Sequence, residues 1–375
     1  MSLEIREVRT AKEMKAFVKF PLSLYKNHPN YVPALIFDDL ATLNPKKNPA
    51  YDFCESSCFM AYRNGKVVGR IAGLINHNAN KGWKVKNVRF GWFDFIDDLE
   101  VAKALMDAVE SWGKQKGMSE ITGPLGFTDL DPEGMLIEGY ELIGTLATIY
   151  NYPYYPVHME KLGFEKEVDW KEYRIEIPEN IPERYKRMSA IVSEKFGLRT
   201  VKEKSLSKLA KNYGEKLFKL VNETYNILYG FSTLTERQMQ YYIKMYLSFA
   251  RTDLISIVVD KDDNVVGMGI TMPSLSKAMQ KSKGSLFPFG FIHMLKALKK
   301  NDVVDFYLMA VHPDFQNKGV SAMIFADLYP SFHKNGYKMA ETNPELEMNS
   351  KIQLLWSEFN PQPVRRRRVF KKELA

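Results

Sequence analysis

The sequence lacks most of what would mark a secreted, membrane-spanning or metal-bound protein. It has 2 cysteines, Cys54 and Cys58, in 375 residues. That is too few for a disulfide framework or for a four-ligand zinc site without distant histidines. Neither they nor the 6 histidines fall at metal-ligand spacing, so no metal is expected. No apolar run approaches the roughly 18–20 residues that a membrane span needs. The opening Met-Ser-Leu-Glu-Ile-Arg has no signal-peptide core. Reduced thiols and a cytoplasmic location are therefore expected. Acidic residues are missing from one long stretch, 274–300. It carries Lys277, Lys281, Lys283, Lys296, Lys299 and Lys300 and no Asp or Glu.

What is present points to an anionic partner. The formal net charge is +8 and 45% of residues are hydrophobic. A basic chain of this size suits a polyphosphate cofactor, nucleic acid or acidic lipid, and its length suits two domains. The most informative segment is 308–321, Leu-Met-Ala-Val-His-Pro-Asp-Phe-Gln-Asn-Lys-Gly-Val-Ser. It reads as an apolar strand, a turn at His312-Pro313-Asp314, a loop, and a helix from about Val320. Behind it Val320, Met323, Ile324, Phe325 and Leu328 form a helical stripe. The pattern Gln316-x-x-Gly319-x-Ser321 puts unpaired first-turn N–H groups where an anion can sit. Gly319 lets the main chain approach phosphates closely, and Lys318 adds positive charge.

The chain also repeats itself. The segment 117–124 (Gly-Met-Ser-Glu-Ile-Thr-Gly-Pro) resembles 336–344 (Gly-Tyr-Lys-Met-Ala-Glu-Thr-Asn-Pro), at an offset of 336 − 117 = 219. Both follow a helix stop, Lys114 to Gly117 and Lys334 to Gly336. Two Asn/Asp/Gly-turn hairpins, at 60–72 and 257–269, match as well. Each half reads helix–helix, hairpin, strand, helix, strand, helix, strand. Pro178, Pro182 and the charged run at 183–187 mark a linker, giving domains at 1–178 and 179–375. At the same offset, Gln316, Asn317, Lys318 and Gly319 stand opposite Asp97, Asp98, Leu99 and Glu100. Three carboxylates there would repel a pyrophosphate, so the first half is expected to lack an anion cradle.

These motifs and this element order resemble the GCN5-related N-acetyltransferase (GNAT) superfamily, in tandem. The resemblance implies an α+β fold with a mixed, mostly antiparallel sheet flanked by helices in each domain. It implies acetyl-CoA or another acyl-CoA as cofactor. The pyrophosphate would lie on Gln316, Asn317, Lys318, Gly319, Val320 and Ser321, and pantetheine on the backbone of Met309, Ala310 and Val311. It also carries over an Asn, here Asn349, which reads locally as a helix N-cap too. Seven residues on, the family places a Tyr that serves as general acid; this chain has Trp356, whose indole cannot do so. The first half has Met159 there. Asp305 lies eleven residues before Gln316, where histone-type members keep a base. An exposed strand-start Asp is the plainer reading of it. Glu341 is a second candidate base and Tyr307 a candidate acid.

Three further segments stay open between a functional and a plainer reading. In 126–155, Asp129 and Asp131 followed by Tyr152, Tyr154 and Tyr155 suit either an amine-binding wall or an ordered loop anchored by tyrosines. The basic, apolar segment 274–300 suits a membrane surface, an acyl-chain tunnel or a lid. Its plainer reading is two amphipathic helices packed on the sheet with lysines in water. The run Arg365 to Arg368 reads as a strand with solvated or phosphate-facing arginines; a nucleic-acid partner is not expected. The functional expectation is acyl transfer, acetyl transfer first, from acyl-CoA to a primary amine on a small molecule. The alternatives are long-chain transfer to a lipid or sphingoid amine, and a non-catalytic CoA sensor. Oligomeric state is not legible.

Overall fold

A computed structural model describes residues 2–246, 250–356 and 359–374. The chain forms two compact units, and neither is contiguous. The first comprises 1–171, 275–295 and 364–375; the second comprises 172–274 and 296–363. This division differs from the contiguous 1–178 and 179–375 split that the linker signals suggest. Three exchanges cause it, one of them the passage of 275–295 into the first unit. The last strand of the chain joins the first unit, and the strand after residue 164 passes from the first unit into the second.

The elements in chain order are β1 (Leu3–Glu7), α1 (Ala11–Leu24), α2 (Ile36–Thr42), β2 (Cys54–Arg63), β3 (Lys66–Asn76), α3 (His77–Trp83), β4 (Asn87–Phe95), α4 (Leu99–Gln115), β5 (Glu120–Gly123), β6 (Met135–Glu138), α5 (Tyr154–Lys161) and β7 (Glu165–Glu176). There follow α6 (Glu183–Phe196), β8 (Arg199–Val201), α7 (Leu206–Tyr225), α8 (Glu236–Tyr246), β9 (Ile255–Val259), β10 (Val265–Pro273), α9 (Ser276–Ser282) and α10 (Gly290–Lys299). The chain ends with β11 (Val303–Val311), α11 (Val320–Asn335), β12 (Met339–Thr342), β13 (Glu345–Leu346), α12 (Ser350–Trp356) and β14 (Gln362–Glu373).

In the first unit the strand order is β1-β2-β3-β4-β5-β14-β7; in the second, β7's later part is followed by β12-β11-β10-β9-β8. Each sheet is mixed and mostly antiparallel, with one parallel step, β4 on β5 and β11 on β12. The repeat anticipated this α+β architecture. It did not anticipate the leading strands β1 and β8, whose few residues carry little apolar signal.

A long helix packs on each unit's strands through an apolar stripe. In the first unit Val101, Ala102, Leu105, Met106 and Val109 of α4 pack on Val88, Phe90, Phe95 and Ile121. In the second, Val320, Met323, Ile324, Phe325, Leu328 and Phe332 of α11 pack on Val258, Val304, Phe306 and Ala340. Burial of each such side chain is worth about 1.5–3 kcal/mol. The start of α11 sits close to the sheet because β10 offers Gly267 there. A Cβ on Gly267 would lie 2.6 Å from Val320 Cγ1.

The arginine run is structural. In β14, Arg365 and Arg367 are buried, at 3% and 1% exposure, where solvated or phosphate-facing side chains were expected. Their guanidiniums donate to the carbonyls of Ile143 and Ile149. Arg368 holds the buried Asp169 carboxylate with two hydrogen bonds of 2.8 and 3.1 Å. Cys54 and Cys58 are free and buried. Burial pushes both thiols up to about 12, so neither is reactive at neutral pH.

Candidate functional site

The second unit's site begins with a fault in a strand. Against β10, Leu308 pairs with Ile270 while Phe306 pairs with Thr271. One residue of β10 therefore faces two of β11, and Tyr307 is a bulge. The parallel ladder to β12 runs from Val303/Met339 to Phe306/Thr342 and then stops. Beyond it, side chains take up the freed carbonyls of β11. Asn343 Nδ2 donates to Tyr307 O at 3.0 Å, the Tyr225 hydroxyl to Met309 O at 3.1 Å, and Gln316 Nε2 to Val311 O at 3.2 Å. The strand edge at 307–311 is thus opened and polar.

A short turn carries this edge to the helix. His312 caps it, its Nδ1 accepting from Asp314 N at 3.2 Å. Asn317 and Gly319 take left-handed backbone angles, φ +59° and +83°, and Gly319 is the N-cap of α11. The glycine is also needed for space, since a Cβ there would meet Met188 Cγ and Val192 Cγ2 at 2.9 Å. The first turn of α11 has no acidic residue and no side-chain cap. The N–H groups of Val320 and Ser321 have no partner within the helix. Lys318 Nζ stands 5.4 Å from the ring centroids of both Phe196 and Phe315. Together these features favour an anion.

The equivalent place in the first unit is closed. There Asp98 is the N-cap of α4, its Oδ1 accepting from Glu100 N at 2.9 Å and Val101 N at 3.4 Å. Arg63 bridges Asp98 and Glu100. Aligned cap to cap, Gly319 therefore matches Asp98, not Glu100 as a fixed offset of 219 has it. This helix end is filled by its own carboxylate.

The remaining expected site residues fall in different surroundings. Asp305 is buried at 3% exposure, not exposed, and lies beside Glu341 across the parallel ladder. Glu341 is paired with Arg174 at 3.0 and 2.5 Å. Both acids stand on the closed part of the sheet, before the bulge. Asn349 acts as a helix cap, its Oδ1 accepting from Ile352 N at 3.4 Å. Trp356 is a core residue, 5.1 Å from the Phe306 ring centroid. Its Nε1 donates to Glu345 Oε1 at 2.7 Å.

Two residues of this region escape sequence reasoning. Glu345 is a shielded carboxyl whose Oε2 receives no hydrogen bond among the described residues. Burial raises its pKa to about 8, against the lowering effect of the Trp356 indole. The only advance signal was that a buried indole needs an acceptor. Tyr225 brings a phenol to the opened edge from the far end of α7, with no motif to announce it.

The first unit has an opened edge of its own. Its parallel ladder ends at Arg89/Thr122, and β4 bulges at Trp92, φ +45°. Here lies a cavity of about 110 Å³, lined among others by Tyr31, Asp39, Arg70, Trp92, Asp94 and Tyr155. Arg70 and Asp94 form a buried ion pair, Nε to Oδ2 at 2.8 Å, which Tyr25 joins with its hydroxyl 3.0 Å from Asp94 Oδ1. Asp39, bonded by Trp92 Nε1 at 3.2 Å, is a second lining carboxylate, and it too feels the Arg70 charge. Burial pushes its pKa up.

Of the five expected substrate residues, only Tyr155 lines this cavity. Tyr154 and Tyr152 donate to the carbonyls of Phe95 and Leu24 at 2.5 and 3.3 Å, so they anchor the loop. Asp131 Oδ2 accepts from Thr128 N at 3.0 Å, closing a turn. Burial raises the pKa of Asp129 and carries that of Asp131 to about 6. No group of three or more His, Cys, Asp or Glu among the described residues is arranged to hold a metal.

Two units of this topology, each with a bulged strand splaying from its parallel neighbour, have the fold of the GCN5-related N-acetyltransferases in tandem. A tandem GNAT protein from the clavulanic acid biosynthesis pathway superposes over 100% of this chain and 99% of its own, with TM-score 0.58 and 11% identity. In sequence, the chain is 26% identical to protein YghO of Escherichia coli K12 over 379 residues, 99% of this chain and 95% of that protein. It is also 26% identical over 328 residues to the bacterial ceramide synthase of Caulobacter vibrioides, covering 86% of this chain and 84% of that one. No protein-family model matches the chain.

Proposed function

We propose that this protein is an acyl-CoA-dependent N-acyltransferase whose second unit holds the CoA. The observation that carries the reading is the contrast between two equivalent helix ends. That of α11 is acid-free, uncapped and preceded by a left-handed glycine, whereas that of α4 is filled by Asp98. A pyrophosphate suits the first and is repelled by the second. Residues 316–321 would receive the phosphates, and the opened edge at 309–311 would receive the pantetheine amides. Gln316 and Tyr225, now bonded to that edge, would give way or rotate.

In the reaction a neutral amine nitrogen attacks the thioester carbonyl. The C–N bond forms, the C–S bond breaks, and the nitrogen's proton ends on the thiol. Backbone N–H groups on the opened edge suit the developing oxyanion. Trp356 cannot supply the proton, and Glu341 is held by Arg174. Tyr225 is a phenol whose hydroxyl reaches that edge at Met309 O, and we assign it the proton transfer to the leaving thiolate.

A long-chain acyl donor and a lipid amine are favoured over acetyl transfer to a small polar amine. The relative named a bacterial ceramide synthase supports this. Thermal shift with CoA, acetyl-CoA and palmitoyl-CoA, followed by thiol release with small and sphingoid amines, tests both parts. Stabilisation by palmitoyl-CoA above acetyl-CoA, with release only for the long-chain amine, is expected. Stabilisation by none of the three would end the acyltransferase reading. Stabilisation without thiol release would leave a CoA sensor.

A further inference from the structure

The acid-free stretch 274–300 is built differently from an ordinary amphipathic insertion. Its fastening to the first unit comes from α9 and the turn after it. Leu275, Ala278 and Met279 are buried at 1%, 4% and 0% exposure. Gln280 Nε2 donates to Pro29 O and Tyr31 O at 2.7 and 3.0 Å, and Ile36 N donates to Gly284 O at 2.9 Å. The large apolar side chains that follow take no part in this. Phe287 is 78% exposed, Phe289 71%, Leu295 59%, Phe291 40% and Ile292 38%. In α10, Phe291, Ile292 and Leu295 share one face by their i, i+3 and i, i+4 spacing, and Met294 is the buried side, at 4%. The expectation of packed apolar faces is met by α9 and fails from Phe287 onward, where the phenylalanines face water.

Lysines frame this apolar face. Lys277, Lys281 and Lys283 precede it, and Lys296, Lys299 and Lys300 follow it, all exposed. We propose that residues 281–300 dock on an anionic lipid bilayer. The Phe287, Phe289, Phe291 and Leu295 side chains would enter the acyl boundary, with the lysines at the phosphates. The charge pattern selects this occupant. A two-fold contact between copies would set lysine against lysine with no acid in the segment to offset it. A bilayer rich in anionic headgroups satisfies both halves of the pattern. The 10 residues of α10 are too short to cross the hydrocarbon core, so the helix lies in the interface. No helix among the described residues is long and apolar enough to cross a membrane.

Co-sedimentation of the full chain with vesicles tests this without CoA or amine, so its outcome is separate from that of the acyltransferase reading. The chain is expected to sediment with phosphatidylcholine vesicles containing phosphatidylglycerol, and far less with phosphatidylcholine alone. Phe287→Ser with Phe289→Ser should lower the partition coefficient at least roughly tenfold. Lys281→Glu with Lys296→Glu should lower it by roughly fivefold per charge removed, and by less in high salt. These side chains are exposed, so circular dichroism should match wild type. Failure to bind anionic vesicles, or equal binding by the variants, would overturn the proposal. So would a dimer in sedimentation velocity that the Phe variants dissolve while vesicle binding is absent.

Discussion

Gly319 meets two demands that no other residue meets together. Its φ of +83° lies in the region that L side chains avoid, and its Cβ direction is already filled by Met188 and Val192. Gly319→Ala should therefore cost about 1–2 kcal/mol of stability, read as a lower Tm. Gly319→Glu adds a like charge at the cradle and should abolish CoA binding by calorimetry. Glu100→Gly, at the closed helix end, should leave it unchanged. Tyr225→Phe removes a hydroxyl while keeping the ring. Thiol release should fall about 10²-fold with CoA affinity nearly intact; an unaltered kcat would remove Tyr225 from the proton path. Glu345 gives a pH test. Its carboxyl pKa is raised in the fold, to about 8, above its unfolded value of about 4.5. The folded state thus binds the proton more tightly, and stability falls as pH rises from about 4.5 to 8. Glu345→Gln, which still accepts from Trp356, should match wild type near pH 4.5. At pH 8 it should be more stable by about 1–3 kcal/mol in urea titrations. A variant no more stable at pH 8 than the parent would place the Glu345 carboxyl in water.

At the scale of elements, the helices and their apolar stripes were legible because period 3.6 shows in one sequence. So was the glycine-led start of α11, because Gly319 falls between an apolar strand and an apolar helical stripe. The bulges at Tyr307 and Trp92 were not legible. A bulge is a mismatch in register between two strands, and neither strand records it alone. For the same reason Tyr225 and Glu345 gave no warning: each matters only through the strand it meets. The arginine run misled in the opposite way. Four successive charges look like a surface, but alternation along β14 buries Arg365 and Arg367 and hands their donors to loop carbonyls. Arg368→Ala should leave Asp169, at 0% exposure, without its bidentate partner and cost about 3–5 kcal/mol. The double variant with Asp169→Asn should recover much of that loss in the same melting experiment.

For the whole molecule, the order of the chain constrains how it unfolds. The path crosses from one unit to the other at 171/172, 274/275, 295/296 and 363/364. Strand β14 lies at the end of the chain but pairs with β5 from Glu120 to Gly123, and Phe370 sits in the first unit's core. The first unit therefore cannot close its sheet until the second has been traversed. Two units that share their chain in this way should melt in one cooperative transition, whereas beads on a string would melt in two. A chain ending at 363 would leave β5 paired only with β4 and open that core, and should lose fixed structure around 87–123 by hydrogen exchange. On the proposed reading CoA binds the second unit's cradle alone, so its direct protection should centre on 307–325 and spare 95–101. Its effect on the calorimetric Tm should nonetheless extend to the whole transition, because binding to the native state stabilises everything that unfolds with the site. Two separated calorimetric peaks, only one of them moved by CoA, would show that the interleaved path does not couple the units.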